Sequence, residues 1–570
     1  MRVLIFGLFP FMKRFYILHF LLAISTIAQA QKVLKTKAVY QITYNRSADG
    51  KSKEDKNPTI VLVNERQNLL TSQNILRNGS NYPYEQSIIA KPENTLFQIA
   101  NLAKQSQIAT ADRSAIEKQV FEFSDETKVI LGYRCKKAKT IVNSNTIELW
   151  YTTDAGIKAA PTVLGQNLGL VLEQIRNGNS YVTATKIEEV KSFKYIDVAD
   201  LKLTDGLSYK DLLWKSRFTT LNIFNNETIN FMEKPQSNDS IFRFAGGTVI
   251  ARKVKFPPLQ SSPNVFVDLT AQSNGDAYDR TGSVFIIPTD KKISLLDALK
   301  SSVNALPVYN NGNGKTYQGV VATDSYSPVI ELMRFFTPFG VGKYNYLKLK
   351  DKDWAEKVYY RQDVSELFPL MNGKEVWVAV FIGNYDKGGH RVSMNITLHN
   401  DRNQADNKAV LMPLFNATNV MEMAGQEYAT MFSSEKGLEV SFTLPKDLKD
   451  ARLRYITTGH GGWSGGDEFV PKKNTIFLDG KETFSFIPWR MDCGSYRLSN
   501  PASGNFETGL SSSDLSRSNW CPGTVTNPNI IPLGDLKAGT HIIKIAIPMG
   551  LPEGSGSSAW NVSGLLLGSE

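Results

Sequence analysis

Cysteine, histidine and long apolar runs are all scarce in this chain, and each scarcity excludes something. Only three cysteines occur, Cys135, Cys493 and Cys521, and their number and spacing exclude a cysteine-based zinc site. The histidines beyond the N-terminal segment, His390, His399, His460 and His541, show no metal-ligand spacing, so clustered His and Met ligands of the copper type are absent. No metal or other cofactor is expected. Beyond the N-terminus no apolar stretch is long enough to span a bilayer as a helix. No block of Lys and Arg is interleaved with aromatics, so the net charge of +10 does not point to nucleic acid. It reads as a solvated, mildly basic surface.

What is present begins with a targeting pattern. Lys13 and Arg14 precede the apolar run Phe15 to Ile27, and Ala28-Gln29-Ala30 is a small-x-small cleavage site. Residues 1–30 are therefore expected to be a signal peptide, and the mature protein is expected in the periplasm or outside the cell. Export permits disulfides. Cys493 and Cys521 flank a loop rich in Ser, Asn and Gly, and a bridge between them would pin it. Cys135 is then the odd one out and reads as a small buried apolar residue.

A chain of 570 residues exceeds the usual length of one domain. Residues 31–200 read as a β-rich first unit, with alternating runs such as Ala38 to Tyr44 and Thr146 to Tyr151. A polar connector follows. Residues 217–402 and 403–570 repeat the same texture, for example in Arg391 to Leu398 and Leu438 to Leu444. Strands at this spacing, with Gly, Asn, Asp and Pro turns between them, predict an all-β fold of sandwich or jelly-roll type.

Four separated segments carry more. They are Asp276-Ala277-Tyr278-Asp279-Arg280, Arg334-Phe335-Phe336-Thr337-Pro338-Phe339-Gly340-Val341-Gly342, Gly466-Asp467-Glu468-Phe469, and Arg517-Ser518-Asn519-Trp520-Cys521-Pro522-Gly523. Their order and spacing resemble the peptide-N-glycosidase F family, over roughly residues 220–566. The first unit resembles the GLPGLI family of small exported proteins through Gly165 to Leu172, with Leu168 in place of the family's proline.

The glycosidase resemblance implies two tandem antiparallel jelly rolls with the active site between them. It implies an amidase that releases intact N-linked glycans from glycoproteins or glycopeptides. Asp279 is implied as the primary catalytic carboxylate and Glu468 as the second. Arg280, Arg517, Trp520, Tyr385, Phe469, His460 and Trp463 are implied in substrate binding, Trp520 as a flat face for a sugar ring. The Cys493–Cys521 bridge would hold Arg517 and Trp520 in place. The segment beginning at Arg334 is expected to be a packed strand and turn. Where the family carries a third acid, shortly before the position of Tyr385, this chain has Gly383 or Ile382, and Asp386 is the nearest acid in that stretch. That departure leaves a second function open: a monomeric, exported glycan-binding protein without catalysis.

Overall fold

The structure is a computed structural model that describes residues 33–35, 37–50, 55–191, 196–259, 262–399, 409–462, 465–504 and 509–570. The expected signal segment and Trp463 lie outside these residues. The chain forms two compact units that divide between Arg217 and Phe218.

The first unit is built on one eleven-stranded antiparallel sheet. Its first strand, Val39–Ser47, and its last, Ser180–Val190, pair at the centre, with Val39 opposite Val190 and Ser47 opposite Tyr181. From this pair one meander runs out to Ser106–Asp112 and the other to Glu122–Ile130. Alternation places Tyr40, Ile42 and Tyr44 on one face in a core with Leu172 and Cys135. Cys135 is a free, buried thiol, and burial pushes its pKa up to about 11. At Gly169 (φ +140°) an added Cβ would stand 2.4 Å from the Thr152 carbonyl oxygen, so only glycine fits there.

The second unit contains two antiparallel sandwiches. In the first, a four-stranded sheet (Phe218–Ile229, His390–His399, Asn264–Ser273, Val358–Asp363, in spatial order) faces a six-stranded one. In His390–His399 every second residue, His390, Val392, Met394, Ile396 and Leu398, is buried, as period-2 alternation requires. The second sandwich pairs Ala409–Asn416, Ala559–Ser569, Leu448–His460 and Asn529–Leu536 in one sheet, with Leu438–Leu444, Gly539–Ala546, Asn474–Leu478 and Lys481–Phe486 in the other.

The two sandwiches are continuous. Strand Ile330–Phe336 of the first is buried along its whole length, because the second covers the face that a lone sandwich would show to water. Leu565 and Leu567 of the second sandwich join the core of the first. The short strand Val525–Thr526 pairs with Phe335 and Arg334 across the boundary. Each apolar side chain sealed in this way contributes about 1.5–3 kcal/mol. The seam between the sandwiches, with loops on both sides of it, positions the site.

Candidate active site

Asp279 lies in the loop that leads from strand Asn264–Ser273 into strand Thr281–Ile287. This loop is held from within. Asp276 is almost fully buried, accepts the Tyr278 N–H at 3.1 Å, and grips Arg280 through Nε at 2.7 Å and Nη2 at 3.2 Å. Its carboxyl is pushed up by burial. The contacts from His390 and Arg280, with the charge of Arg280, outweigh that and hold its pKa at about 2. The guanidinium of Arg280 lies 5.1 Å from the Tyr278 ring centre and 5.8 Å from that of Tyr385, both of which are exposed.

Glu468 comes from the second sandwich, in the glycine-rich loop after strand Leu448–His460. Its neighbour Asp467 anchors that loop. The Asp467 carboxylate accepts the Trp560 indole N–H at 2.8 Å and the Gly550 N–H at 3.0 Å. Two adjacent acids thus have separate tasks: Asp467 is consumed by structure, and Glu468 is left to face the seam.

Arg517 joins the two catalytic candidates. It is buried, with Nη1 3.2 Å from Asp279 Oδ2 and also in contact with Glu468 Oε1. Its guanidinium lies over Trp520 at 4.4 Å and over Phe469 at 4.9 Å. The backbone of Arg517 pairs with that of Arg490 in both directions, and the Cys493–Cys521 disulfide closes the segment. Burial raises the pKa of Glu468, and the neighbouring Asp279 adds to this against the opposing charge of Arg517. Burial likewise raises Asp279, outweighing Arg517 and Arg280. Two buried carboxylates sharing one cation titrate as a pair, and such a pair can hold one acid and one base near neutral pH.

Trp520 departs from expectation. It is only 3% exposed, stacked on Phe336 at 4.2 Å with an interplanar angle of 16° and faced by Arg517. It has no free face for a sugar ring; it supports the arginine, and its indole N–H is satisfied by the Gly459 carbonyl at 2.8 Å. Among the described residues, Tyr278 and Tyr385 are the exposed aromatics beside Arg280. His460 sits in the same floor, with its ring centre 5.7 Å from that of Trp520.

Asp386 is engaged in a turn, where its Oδ1 accepts the N–H groups of Gly388 and Gly389. At Gly383 an added Cβ would meet the Phe381 ring at 3.1 Å. The acids near Tyr385 that sequence reasoning missed come from elsewhere. The Tyr428 hydroxyl lies between Glu422 Oε1 at 3.0 Å and Glu553 Oε2 at 3.1 Å. Burial raises the Tyr385 pKa, and Glu422 beside its hydroxyl raises it further. No local pattern marks these residues. Asp276, by contrast, had a signal in its spacing from Arg280.

A carboxylate from each of two joined jelly rolls meets on one buried arginine at the seam, an arrangement suited to acid–base hydrolysis. The comparisons with known proteins narrow the class. The model for the N-glycanase peptide N-terminal domain matches residues 42–211. That for the N-terminal part of peptide-N-glycosidase F matches 220–398, and that for its C-terminal part matches 427–567. A solved structure of PNGF-II is 53% identical, covers 94% of this chain and 100% of its own, and superposes with a TM-score of 0.84. A second crystal form of PNGF-II has the same identity, 94% and 98% coverage, and a TM-score of 0.82. A structure of PNGase F from Flavobacterium meningosepticum is 16% identical, covers 62% of this chain and 96% of its own, and has a TM-score of 0.41. The comparison with curated proteins gives no match. The chain belongs to the peptide-N-glycosidase F family.

Proposed function

We propose that this protein is a peptide-N4-(N-acetyl-β-glucosaminyl)asparagine amidase that releases intact N-linked glycans from glycoproteins by hydrolysing the amide between asparagine and the first GlcNAc. The observation that carries the assignment of roles is the contact of Arg517 with both Asp279 and Glu468. Asp279 takes a proton from water as its oxygen attacks the amide carbonyl carbon, and returns a proton to the nitrogen as the C–N bond breaks. Asparagine becomes aspartate and the glycan leaves as a glycosylamine. Glu468 orders the water and tunes the pair. Arg517 keeps both carboxylates in register, and Arg280, fixed by Asp276, orients the sugar beside Tyr278 and Tyr385. Phe469 and His460 complete the walls.

The support for export is the N-terminal pattern of residues 1–30 together with the Cys493–Cys521 bridge. Among the described residues no helix is long and apolar enough to cross a membrane. We read the mature protein as a periplasmic or secreted monomer.

The test is mass spectrometry of a denatured N-glycoprotein after incubation with the protein and EDTA. Release of whole glycan, with conversion of the linked asparagine to aspartate, is the expected result. Binding of glycopeptide with its mass unchanged would instead identify a non-catalytic glycan-binding protein, and sink the amidase reading.

A further inference from the structure

Arg334 has no part in the chemistry above, yet it is fully buried where the two sandwiches meet. Its Nε and Nη2 hold the Glu331 carboxylate at 2.9 and 2.7 Å. Its Nη1 donates to the Asn561 carbonyl oxygen at 2.7 Å and to Thr458 Oγ1 at 3.0 Å. Thr458 Oγ1 in turn lies 2.9 Å from His460 Nε2.

The proton bookkeeping of this relay has one solution in which the Thr458 hydroxyl proton also finds an acceptor. A guanidinium has donors and no acceptor, so the Thr458 oxygen accepts from Arg334. Among the described residues, the one acceptor within hydrogen-bond reach of the Thr458 hydroxyl proton is His460 Nε2. A ring nitrogen that accepts carries no proton, and a neutral imidazole then has its proton on Nδ1. The ring is neutral. Burial, reinforced by the charges of Arg334 and Arg517, pushes its pKa down to about 3. His460 as a residue is half-buried, in contrast to the fully buried His390.

We propose that Arg334 and Thr458 are positioning residues that lock His460 in the Nδ1–H tautomer, so that it presents a fixed hydrogen-bond donor to an amide carbonyl oxygen of the substrate. The substrate half of this inference rests on the amidase reading. An asparagine-linked GlcNAc carries two such oxygens close together, on the scissile amide and on the N-acetyl group. Both accept and neither donates, so a ring with a fixed N–H suits them, whereas sugar hydroxyls are served equally well by either tautomer. The docking of one sandwich on the other thus sets the hydrogen-bonding state of a site residue, because Arg334 belongs to the first and Thr458 and His460 to the second.

The experiment is long-range ¹H–¹⁵N NMR of the full exported protein, with the His460 signals assigned through His460→Gln. The free wild-type enzyme is expected to show a protonated Nδ1 and an unprotonated Nε2, unchanged between about pH 5 and pH 8. Thr458→Val keeps the side-chain shape and removes the hydroxyl. It is expected to shift the ring toward Nε2–H and to lower kcat/KM for glycan release by about tenfold or more. Thr458→Ser, which keeps the hydroxyl, is expected to restore both readouts, and thermal unfolding of each variant controls for loss of fold. A wild-type ring protonated on Nε2 overturns the inference. So does a Thr458→Val protein with unchanged nitrogen signals or unchanged turnover. Glycan release by a wild type whose ring is Nε2–H leaves the amidase reading standing and removes this inference alone. No release by the wild type removes the amidase reading, and with it the donor role.

Discussion

Replacing Arg517 by methionine removes the cation between Asp279 and Glu468 while keeping an apolar stem against Trp520 and Phe469. In the native protein the arginine side chain is 2% exposed and its Nη1 stands 3.2 Å from Asp279 Oδ2, with Glu468 Oε1 in contact as well. At an effective dielectric near 20, a pair at that separation attracts by about 5 kcal/mol. Desolvation of the ions offsets much of this, but taking away one partner leaves the others buried and uncompensated, which costs about 3–5 kcal/mol. Both carboxyls are already raised by burial, and Arg517 is the strongest influence holding each of them down. Without it both rise further. A carboxyl raised above its unfolded value binds its proton more tightly in the folded state. The variant is therefore most stable below the ordinary carboxylate range and loses stability as pH rises through the folded pKa values. Urea unfolding of Arg517→Met across that range, compared with wild type, should show a deficit of about 3–5 kcal/mol at neutral pH that narrows in acid. The pH–rate profile of glycan release should move to higher pH, and adding Glu468→Gln should recover part of the stability, because the two changes share one interaction. A variant within about 1 kcal/mol of wild type at neutral pH, with an unshifted profile, would refute the coupling of the carboxylates through Arg517.

Three further outcomes can be checked directly. Asp279→Asn keeps the side-chain volume, so folding by circular dichroism should survive while kcat falls by about 10²–10⁴; activity within about twofold of wild type would make Asp279 a turn residue only. Removing the Cys493–Cys521 bridge, with both cysteines changed to serine, should cost up to about 3–4 kcal/mol in the chain-entropy account of its loop. Glycan release should then fail at a lower temperature than the sandwich melts, since the bridge closes the segment bearing Arg517; coincident losses would count against this. Asp276→Asn should free Arg280 and raise KM for the glycan. The depressed pKa of Asp276, about 2, also means that its ion pair contributes stability above the ordinary aspartate range, lost as pH falls through that value. The variant should lack this acid-dependent component in urea unfolding between about pH 4 and pH 2, and an unaltered acid limb would refute the role.

The sequence was sufficient for whatever depends on local periodicity and on residue identity at a spacing. Alternation in Arg391 to Leu398 and Leu438 to Leu444 specified strands, since side chains on a pleated backbone repeat every two residues. The spacing of the Asp276, Glu468 and Arg517 segments was enough to select the family, and the cysteines that flank a polar loop do pair. Tertiary structure decided which side chains are desolvated and by what. Asp276 and Asp279 are the same residue type three positions apart, yet Arg280 and His390 hold one carboxyl low, and burial beside Arg517 raises the other. Trp520 could be read as a platform for sugar until Phe336 and Arg517 were seen to occupy its faces. Glu422 and Glu553 meet at Tyr428 from distant loops, and Arg334 reaches His460 only because one sandwich docks on the other. Local pattern fixes where a backbone turns and which way a side chain leaves it. The partner it meets, and the water it loses, are set by strands far away in the chain, through packing that no short window of sequence contains.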